Sequence, residues 1–308
     1  MRLDVIIPTY KPDQNFLKLI QKVNAQTLRP DKIIIYNTEE KYFDPLLRYN
    51  RFLMENQNLE IHHISKREFD HGKTRNFAVS KSDADFFICM TQDAMPKNQH
   101  VFENLLRPFS DSKVAVTYAR QIPYEESSLT EKIVRNYNYP DRNQIKSLDS
   151  LPKLGIKTYF CSNVCAAYRR DTFNKLGGFI NRTIFNEDMI FAAGAVKQGY
   201  KIIYEADAVV FHSHDYTAGE QFHRNFDLGV SQADHPEIFS EVPSEKEGKR
   251  MVTQVIHTLW KEKHGNQIFP FIRICIAKFW GYRMGKMYRH LPDGLVLKWS
   301  MNQNYWKR

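Results

Sequence analysis

With 308 residues, 42% of them hydrophobic, the chain can bury a large core, and no Pro/Gly/Ser-rich linker, internal repeat or low-complexity tract divides it. No apolar run approaches the roughly 18–20 residues of a membrane span, and Met1-Arg2-Leu3-Asp4 leads straight into a strand pattern with no signal peptide. The four cysteines (Cys89, Cys161, Cys165, Cys275) sit mostly in apolar contexts, which argues for free thiols in the cytoplasm and against a disulfide framework.

The run Leu3-Asp4-Val5-Ile6-Ile7 predicts a buried strand, closed by a Pro8-Thr9-Tyr10 loop. A helix is expected over residues 13–26, where Phe16, Leu17, Ile20 and Val23 recur at helical spacing, and further strands over 32–36 and 59–64. A helix after Gly72 carries Arg75 and Asn76, and a strand over 85–90 delivers Gln92 and Asp93 at its carboxyl end. Strands alternating with helices predict an α/β fold, a mainly parallel sheet flanked by helices. In such sheets ligands sit beyond the carboxyl ends of the strands, where Pro8-Thr9-Tyr10, Asn37 and Gln92-Asp93 all fall.

The second half is less regular. A strand is expected over 114–119, a helix over 127–138 and a strand-like run over 157–167 that leads to Arg169 and Arg170. Gly177-Gly178-Phe179 reads as a turn, and Asn186-Glu187-Asp188 opens a helix reaching about Gln198. Two short strands follow, over 201–204 and 208–211, the second ending in His212-Ser213-His214. From about Gly219 onward the pattern is helical. The excess positive charge lies entirely in the tail: residues 245–308 hold 13 Lys/Arg against 4 Asp/Glu, while residues 1–244 hold 31 of each. Basic residues interleaved with Trp260, Phe279, Trp280 and Trp299 suit an anionic membrane surface. The same ingredients occur in nucleic-acid binders, but nucleic acid is not the expected partner.

Three clusters carry chemistry. Asp93 at a strand end suits a hard divalent cation, Mn²⁺ or Mg²⁺, that bridges diphosphate oxygens. His212 is a candidate second ligand, and His214, two residues on and on the same face of a strand, a candidate contact for phosphate or acceptor. Asp188, with Glu187 beside it, is a candidate base for an acceptor hydroxyl. Arg75 suits a base or diphosphate, and Arg169 a diphosphate or acceptor. With no Walker-type or Gly-x-Gly-x-x-Gly loop, kinase and dehydrogenase readings have no support.

The order Ile-Pro-Thr-Tyr, Thr-Arg-Asn, Gln-Asp-Ala, Gly-Gly-Phe, Asn-Glu-Asp and a strand-end His, over roughly residues 1–235, resembles the inverting family 2 glycosyltransferases of GT-A fold. The segment Phe69-Asp70-His71-Gly72-Lys73-Thr74-Arg75-Asn76 with Thr91-Gln92-Asp93-Ala94 resembles the bacterial rhamnosyltransferases of surface polysaccharide synthesis in particular. The resemblance implies a GT-A catalytic domain over 1–240, with a nucleotide-binding half at about 1–120, an acceptor-binding half at about 121–240, and a basic, aromatic helical extension over 241–308. It implies transfer of L-rhamnose from dTDP-β-L-rhamnose to a hydroxyl of a lipid-linked glycan by an enzyme peripheral to the inner face of the cell membrane. It makes Asp188 the base, with Glu187 placing the acceptor; Asp93 and His212 metal ligands; and Pro8, Thr9, Tyr10, Asn37, Arg75, Gln92 and Asp93 nucleotide contacts. Two departures stand out. Thr91 replaces the first of two acids usual at that strand end, and Asn37 replaces the usual Asp after the second strand. They keep two alternatives open: a UDP-hexose donor, or a catalytically silent sugar-nucleotide-binding assembly subunit.

Overall fold

The apolar runs of the first ninety residues form β1 (Leu3–Tyr10), β2 (Lys32–Thr38), β3 (Leu59–Ile64) and β4 (Phe86–Met90). In the computed structural model of the chain, which describes residues 1–48, 50, 56–242 and 245–307, these four pair in parallel in the order β3-β2-β1-β4. β8 (Cys165–Arg169) runs antiparallel between β4 and β6 (Val114–Ile122), and β9 (Lys201–Phe211) is parallel to β6. The short β5 (Met95–Pro96) and β7 (Gln144–Lys146) each pair antiparallel with β9. The expected α/β architecture is therefore present, as a mixed, mostly parallel sheet of nine strands among the described residues.

Both faces of the sheet are covered, and side chains alternate between them with period two. Leu3, Val5 and Ile7 pack with Phe16, Leu19, Ile20 and Val23 of the helix Gln14–Asn24. Ile6, Phe87 and Cys89 face the other layer, against Ala78, Val79, Phe173, Phe179 and Phe191. Each large side chain buried in this way contributes about 1.5–3 kcal/mol. Asp13 and Asp70 start the helices Gln14–Asn24 and His71–Ser80 by accepting from the free N–H groups of their first turns. Gly72 is required where it stands: a Cβ there would fall 1.8 Å from the carbonyl oxygen of Ile180. Four residues on, Asn76 donates to the carbonyl of Phe179 (2.7 Å) and accepts from its N–H (3.0 Å). The Thr-Arg-Asn and Gly-Gly-Phe motifs are thus one physical joint.

Several expectations are corrected. Pro8-Thr9-Tyr10 is not a loop; it continues β1 and pairs with Tyr36, Asn37 and Thr38. Proline is tolerated there because β4 contacts β1 only as far as Ile6, so no neighbour on that side needs its N–H. The run 157–167 is not one strand. Gly155–Thr158 is a 3₁₀ turn and β8 begins only at Cys165. The two short strands expected over 201–211 are one strand, whose register against β6 shifts between Ala119 and Arg120.

The C-terminal helices fold onto the domain. The helix Ala218–Asp234, opened by a capping box of Thr217 and Glu220, crosses the helix Ile268–Lys286 at very short range. A Cβ on Gly285 would lie 2.0 Å from the carbonyl oxygen of Phe226, so the contact is made backbone to backbone. Among the described residues no helix is long and apolar enough to cross a membrane.

Candidate active site

β4 and β9 end on the same side of the sheet, and the residues just beyond them meet. Asp93 follows β4, and His212 and His214 follow β9. Asp93 Oδ2 lies 3.0 Å from His214 Nε2 and 3.6 Å from His212 Nε2, and the two imidazole nitrogens are 3.2 Å apart. The three donor atoms lie within 4.8 Å of one another. His212 is buried, and its Nδ1 sits 2.9 Å from Gln121 Oε1. Gln121 is oriented by donating from Nε2 to Tyr139 and Ser162, while its Oε1 also accepts from Arg135 at 2.8 Å. That carbonyl oxygen accepts, so Nδ1 of His212 carries the proton and Nε2 presents a lone pair toward Asp93. Burial pushes the His212 imidazole down to about 3, against the pull of Asp93, so it stays neutral. For Asp93, burial acts upward, but the hydrogen bond from His214 and the proximity of His212 overcome it and hold the carboxylate below its ordinary range. One carboxylate and two imidazoles, that of His212 with a fixed tautomer, fit a divalent cation, Mn²⁺ better than Mg²⁺. The expectation that separated His212 as ligand from His214 as phosphate contact gives way to an arrangement with both on Asp93.

Across the same cavity stands a carboxylate pair. Asn186 takes a left-handed conformation (φ 67°) and opens the helix Glu187–Lys197, its amide donating to Ser231 Oγ at 3.1 Å. Glu187 is buried, ion-paired with Arg75 at 3.0 Å and hydrogen-bonded by Asn163 Nδ2 at 3.1 Å. Asp188 accepts from the N–H of Asn163 (2.9 Å) and of Met189 (2.7 Å) and lines the cavity. The two acids diverge. For Glu187, burial acts upward but Arg75, then His71 and Asn163, bring the carboxyl below its ordinary range. Burial and the neighbouring Glu187 charge push Asp188 up. One acid is thus locked as a structural anion, and the other, in the cavity, has its affinity for a proton raised.

The cavity between these groups measures 590 Å³. Its walls include Arg224 and Lys278, neither ion-paired among the described residues. Lys278 comes from the helix Ile268–Lys286, so the tail reaches this cavity.

At the end of β1, Tyr10 is partly exposed and meets Tyr42 edge-on (5.6 Å), with the Lys66 ammonium 4.9 Å from the Tyr10 ring centre. Pro8 is half-buried and Thr9 buried. Four residues expected as contacts have partners inside the protein. Asn37 has no exposed surface: it accepts from Thr9 and its amide nitrogen lies 3.1 Å from both Glu39 O and His63 Nδ1, so it has no free edge for a pyrimidine. Gln92 is engaged by the backbone of Tyr10, accepting at 2.9 Å and donating at 3.0 Å. Arg75 lines the cavity, with its Nη1 paired to Glu187 and donating to His71 O (2.8 Å). Arg169 pairs with Phe86 at the starting end of β4, and its guanidinium donates to the carbonyls of Phe109 and Asp111, which removes it from phosphate or acceptor.

A mostly parallel sheet with acids and imidazoles gathered beyond its strand ends defines a GT-A glycosyltransferase. The chain belongs to glycosyl transferase family 2, whose family model matches residues 4–177. It is 39% identical to the O-antigen chain rhamnosyltransferase RfbN of Salmonella typhimurium over 311 aligned positions, covering 99% of this chain and 96% of that one. It is 37% identical to the O-antigen chain rhamnosyltransferase WbaN of Salmonella anatum, covering 98% and 95%. Among solved structures, the mannosyltransferase PcManGT from Pyrobaculum calidifontis, in complex with GDP-Man and Mn²⁺, superposes with a TM-score of 0.57 at 13% identity, covering 99% of this chain and 84% of that one. Staphylococcus aureus TarS 1–349 in complex with UDP gives 0.52 at 14% identity, covering 96% and 95%. At such identities the likeness establishes the fold.

Proposed function

We propose that this glycosyltransferase transfers L-rhamnose from dTDP-β-L-rhamnose, with inversion, to a hydroxyl of a lipid-linked glycan in O-antigen-type polysaccharide synthesis. The observation that carries the chemistry is the presence, in one cavity, of the Asp93–His212–His214 cluster and Asp188. The names of the two Salmonella relatives support the sugar. Asp188 accepts the proton of the acceptor hydroxyl as its oxygen bonds to the anomeric carbon and the bond from that carbon to the diphosphate breaks. Inversion of the β-linked donor gives an α-rhamnoside. Asp93, His212 and His214 hold a divalent cation, Mn²⁺ or Mg²⁺, which neutralises the leaving diphosphate when bound. Arg224 and Lys278 add positive charge in the same cavity. No second carboxylic acid is needed, because a neutralised diphosphate leaves without protonation. Glu187 anchors Arg75 and raises the basicity of its neighbour. Tyr10, with Pro8 and Thr9 shaping the strand end beneath it, offers a ring for the thymine base.

The tail supports a membrane-facing role at the cytoplasmic leaflet. Along the helix Ile268–Lys286, Phe269, Ile272, Ile276, Phe279 and Trp280 are exposed on one face together with Arg273 and Arg283. Apolar side chains flanked by unpaired cations suit an anionic bilayer, which would also present a lipid-linked acceptor.

The test of the reaction is a panel of sugar nucleotides incubated with the purified chain and Mn²⁺ or Mg²⁺. Hydrolysis of dTDP-L-rhamnose above UDP-hexoses, with tighter binding of dTDP than UDP, is the expected result; preference for a UDP-hexose would overturn the donor.

A further inference from the structure

A second cavity, of 630 Å³, adjoins the catalytic one and shares Asn138, Phe160, Phe185, Asn186 and Met189 with it. Its charge is one-sided. Arg142, Lys146, Lys153, Lys157 and Arg250 line it against one carboxylate, Glu247. Glu247 is already committed: it pairs with Lys157 and Arg250 and accepts from Tyr137 Oη at 2.6 Å. Arg142, Lys146 and Lys153 have no carboxylate partner among the described residues. Arg142 and Lys153 are exposed at the surface.

Lys146 is the telling member. It is 1% exposed, on β7, with its ammonium donating to Tyr118 Oη and to the carbonyl of Phe160. These are neutral acceptors and use two of its three N–H bonds. Burial pushes this amine down to about 7. A buried cation without a counter-ion is costly to keep, and an anion seated in the cavity relieves that cost. The uncharged lining is aromatic and amide-rich, with Tyr137 and Phe160 beside Asn136 and Gln144. Rings stack on a pyranose face and amides bond its hydroxyls. A neutral saccharide alone gives no reason for so many cations; a saccharide carrying a phosphate ester does.

We infer that this second cavity is an acceptor subsite for a glycosyl phosphate or diphosphate, whose phosphoryl oxygens are held by Arg142 and Lys153 and drawn by the buried charge of Lys146 behind them, while the sugar hydroxyl reaches Asp188 past Asn186 and Met189. The inference rests on the reading of Asp188 as the base. It adds that the enzyme selects its acceptor by the phosphate at the reducing end, on a wall separate from the cluster that holds the donor diphosphate.

Glucose 1-phosphate, inorganic phosphate and glucose, titrated calorimetrically into the full chain saturated with dTDP and Mg²⁺, test this. Wild type should bind glucose 1-phosphate more tightly than either of the other two. The R142A/K153A variant, altered only at exposed positions, should lose about tenfold or more of that affinity, since two charge-assisted contacts are removed. Its dTDP binding should be unchanged. R273A/R283A removes the same charge from the tail and should bind glucose 1-phosphate like wild type. Equal affinity in R142A/K153A, an equal loss in R273A/R283A, or inorganic phosphate binding as tightly as the sugar phosphate would each overturn the subsite. If dTDP itself fails to bind wild type, the fault lies with the donor reading instead, because that measurement does not involve the second cavity.

Discussion

Asp93 and Asp188 line one cavity and are driven in opposite directions. Asp93 lies against two imidazoles, one of which donates to it, and is held as a strong anion. Asp188 is half-buried beside a second carboxylate, with backbone N–H groups as its hydrogen-bond donors, and its proton affinity rises. The same side-chain type is thus given opposite electrostatic surroundings, which suit the two tasks proposed here, holding a cation and taking a proton. The difference teaches that the roles are set less by the acids than by what surrounds them: Gln121 and the histidines on one wall, Glu187, Arg75 and Asn163 on the other.

The sharpest way to break the comparison is to remove the proton acceptor. Asp188→Asn keeps the shape, but its single amide oxygen can accept from only one of the N–H groups of Asn163 and Met189, and it has no basicity. Transfer should fall by about 10²–10⁴-fold in single-turnover assays, and a rate within a few-fold of wild type would remove Asp188 from the mechanism. Asp93→Ala attacks the other wall. Transfer should drop by about 10²–10³-fold, in line with the loss of one group that stabilises developing charge, and the residual rate should be indifferent to EDTA. Wild-type transfer that proceeds fully in excess EDTA would show that Arg224 and Lys278 neutralise the diphosphate without a metal.

A milder change tests the support of the first wall. Gln121→Leu removes the acceptor that fixes the His212 tautomer without touching Asp93, and Mn²⁺ affinity measured by titration should weaken by about 10–100-fold. Unaltered affinity would mean that the relay from Arg135 through Gln121 is only packing. The smallest effect concerns pH. Asp188 is raised by burial and by Glu187, so wild-type transfer should rise with pH as Asp188 loses its proton. Glu187→Gln removes the neighbouring negative charge and leaves Arg75 positive. Both changes lower the proton affinity of Asp188, so the acid limb of the pH–rate profile should move to lower pH by about one unit. A shift upward, or none, would detach that limb from Asp188.

Much of this was legible in the sequence because it depends on local signals. β1, β2 and β4 are apolar runs, Asp13 is a cap ahead of a helical stripe, and Asn186-Glu187-Asp188 lies where a helix begins. What escaped depends on distant partners. β5 and β7 have two and three residues and exist only because β9 pairs with them. The Gln121–His212 contact joins residues 91 apart, and no residue pattern announces it. Arg75, Asn37 and Gln92 have the right chemistry for a nucleotide, yet each is engaged inside the protein, and residue type alone does not reveal which polar groups are already satisfied. Arg169 was misplaced for a topological reason. β8 runs antiparallel to β4, so its last residue lies at the opposite end of the sheet from Asp93. Asn163 carried no motif at all, but the turn before β8 places its N–H on Asp188 and its amide on Glu187.

The division of labour between the two walls is tested most directly by calorimetric titration of dTDP into wild type, Asp188→Asn and Asp93→Ala, each with Mn²⁺ and again with excess EDTA. The account predicts that Asp188→Asn binds dTDP like wild type and loses affinity in EDTA as wild type does, whereas Asp93→Ala binds weakly and equally with or without metal. Loss of dTDP binding in Asp188→Asn, or metal-dependent binding that survives in Asp93→Ala, would contradict it.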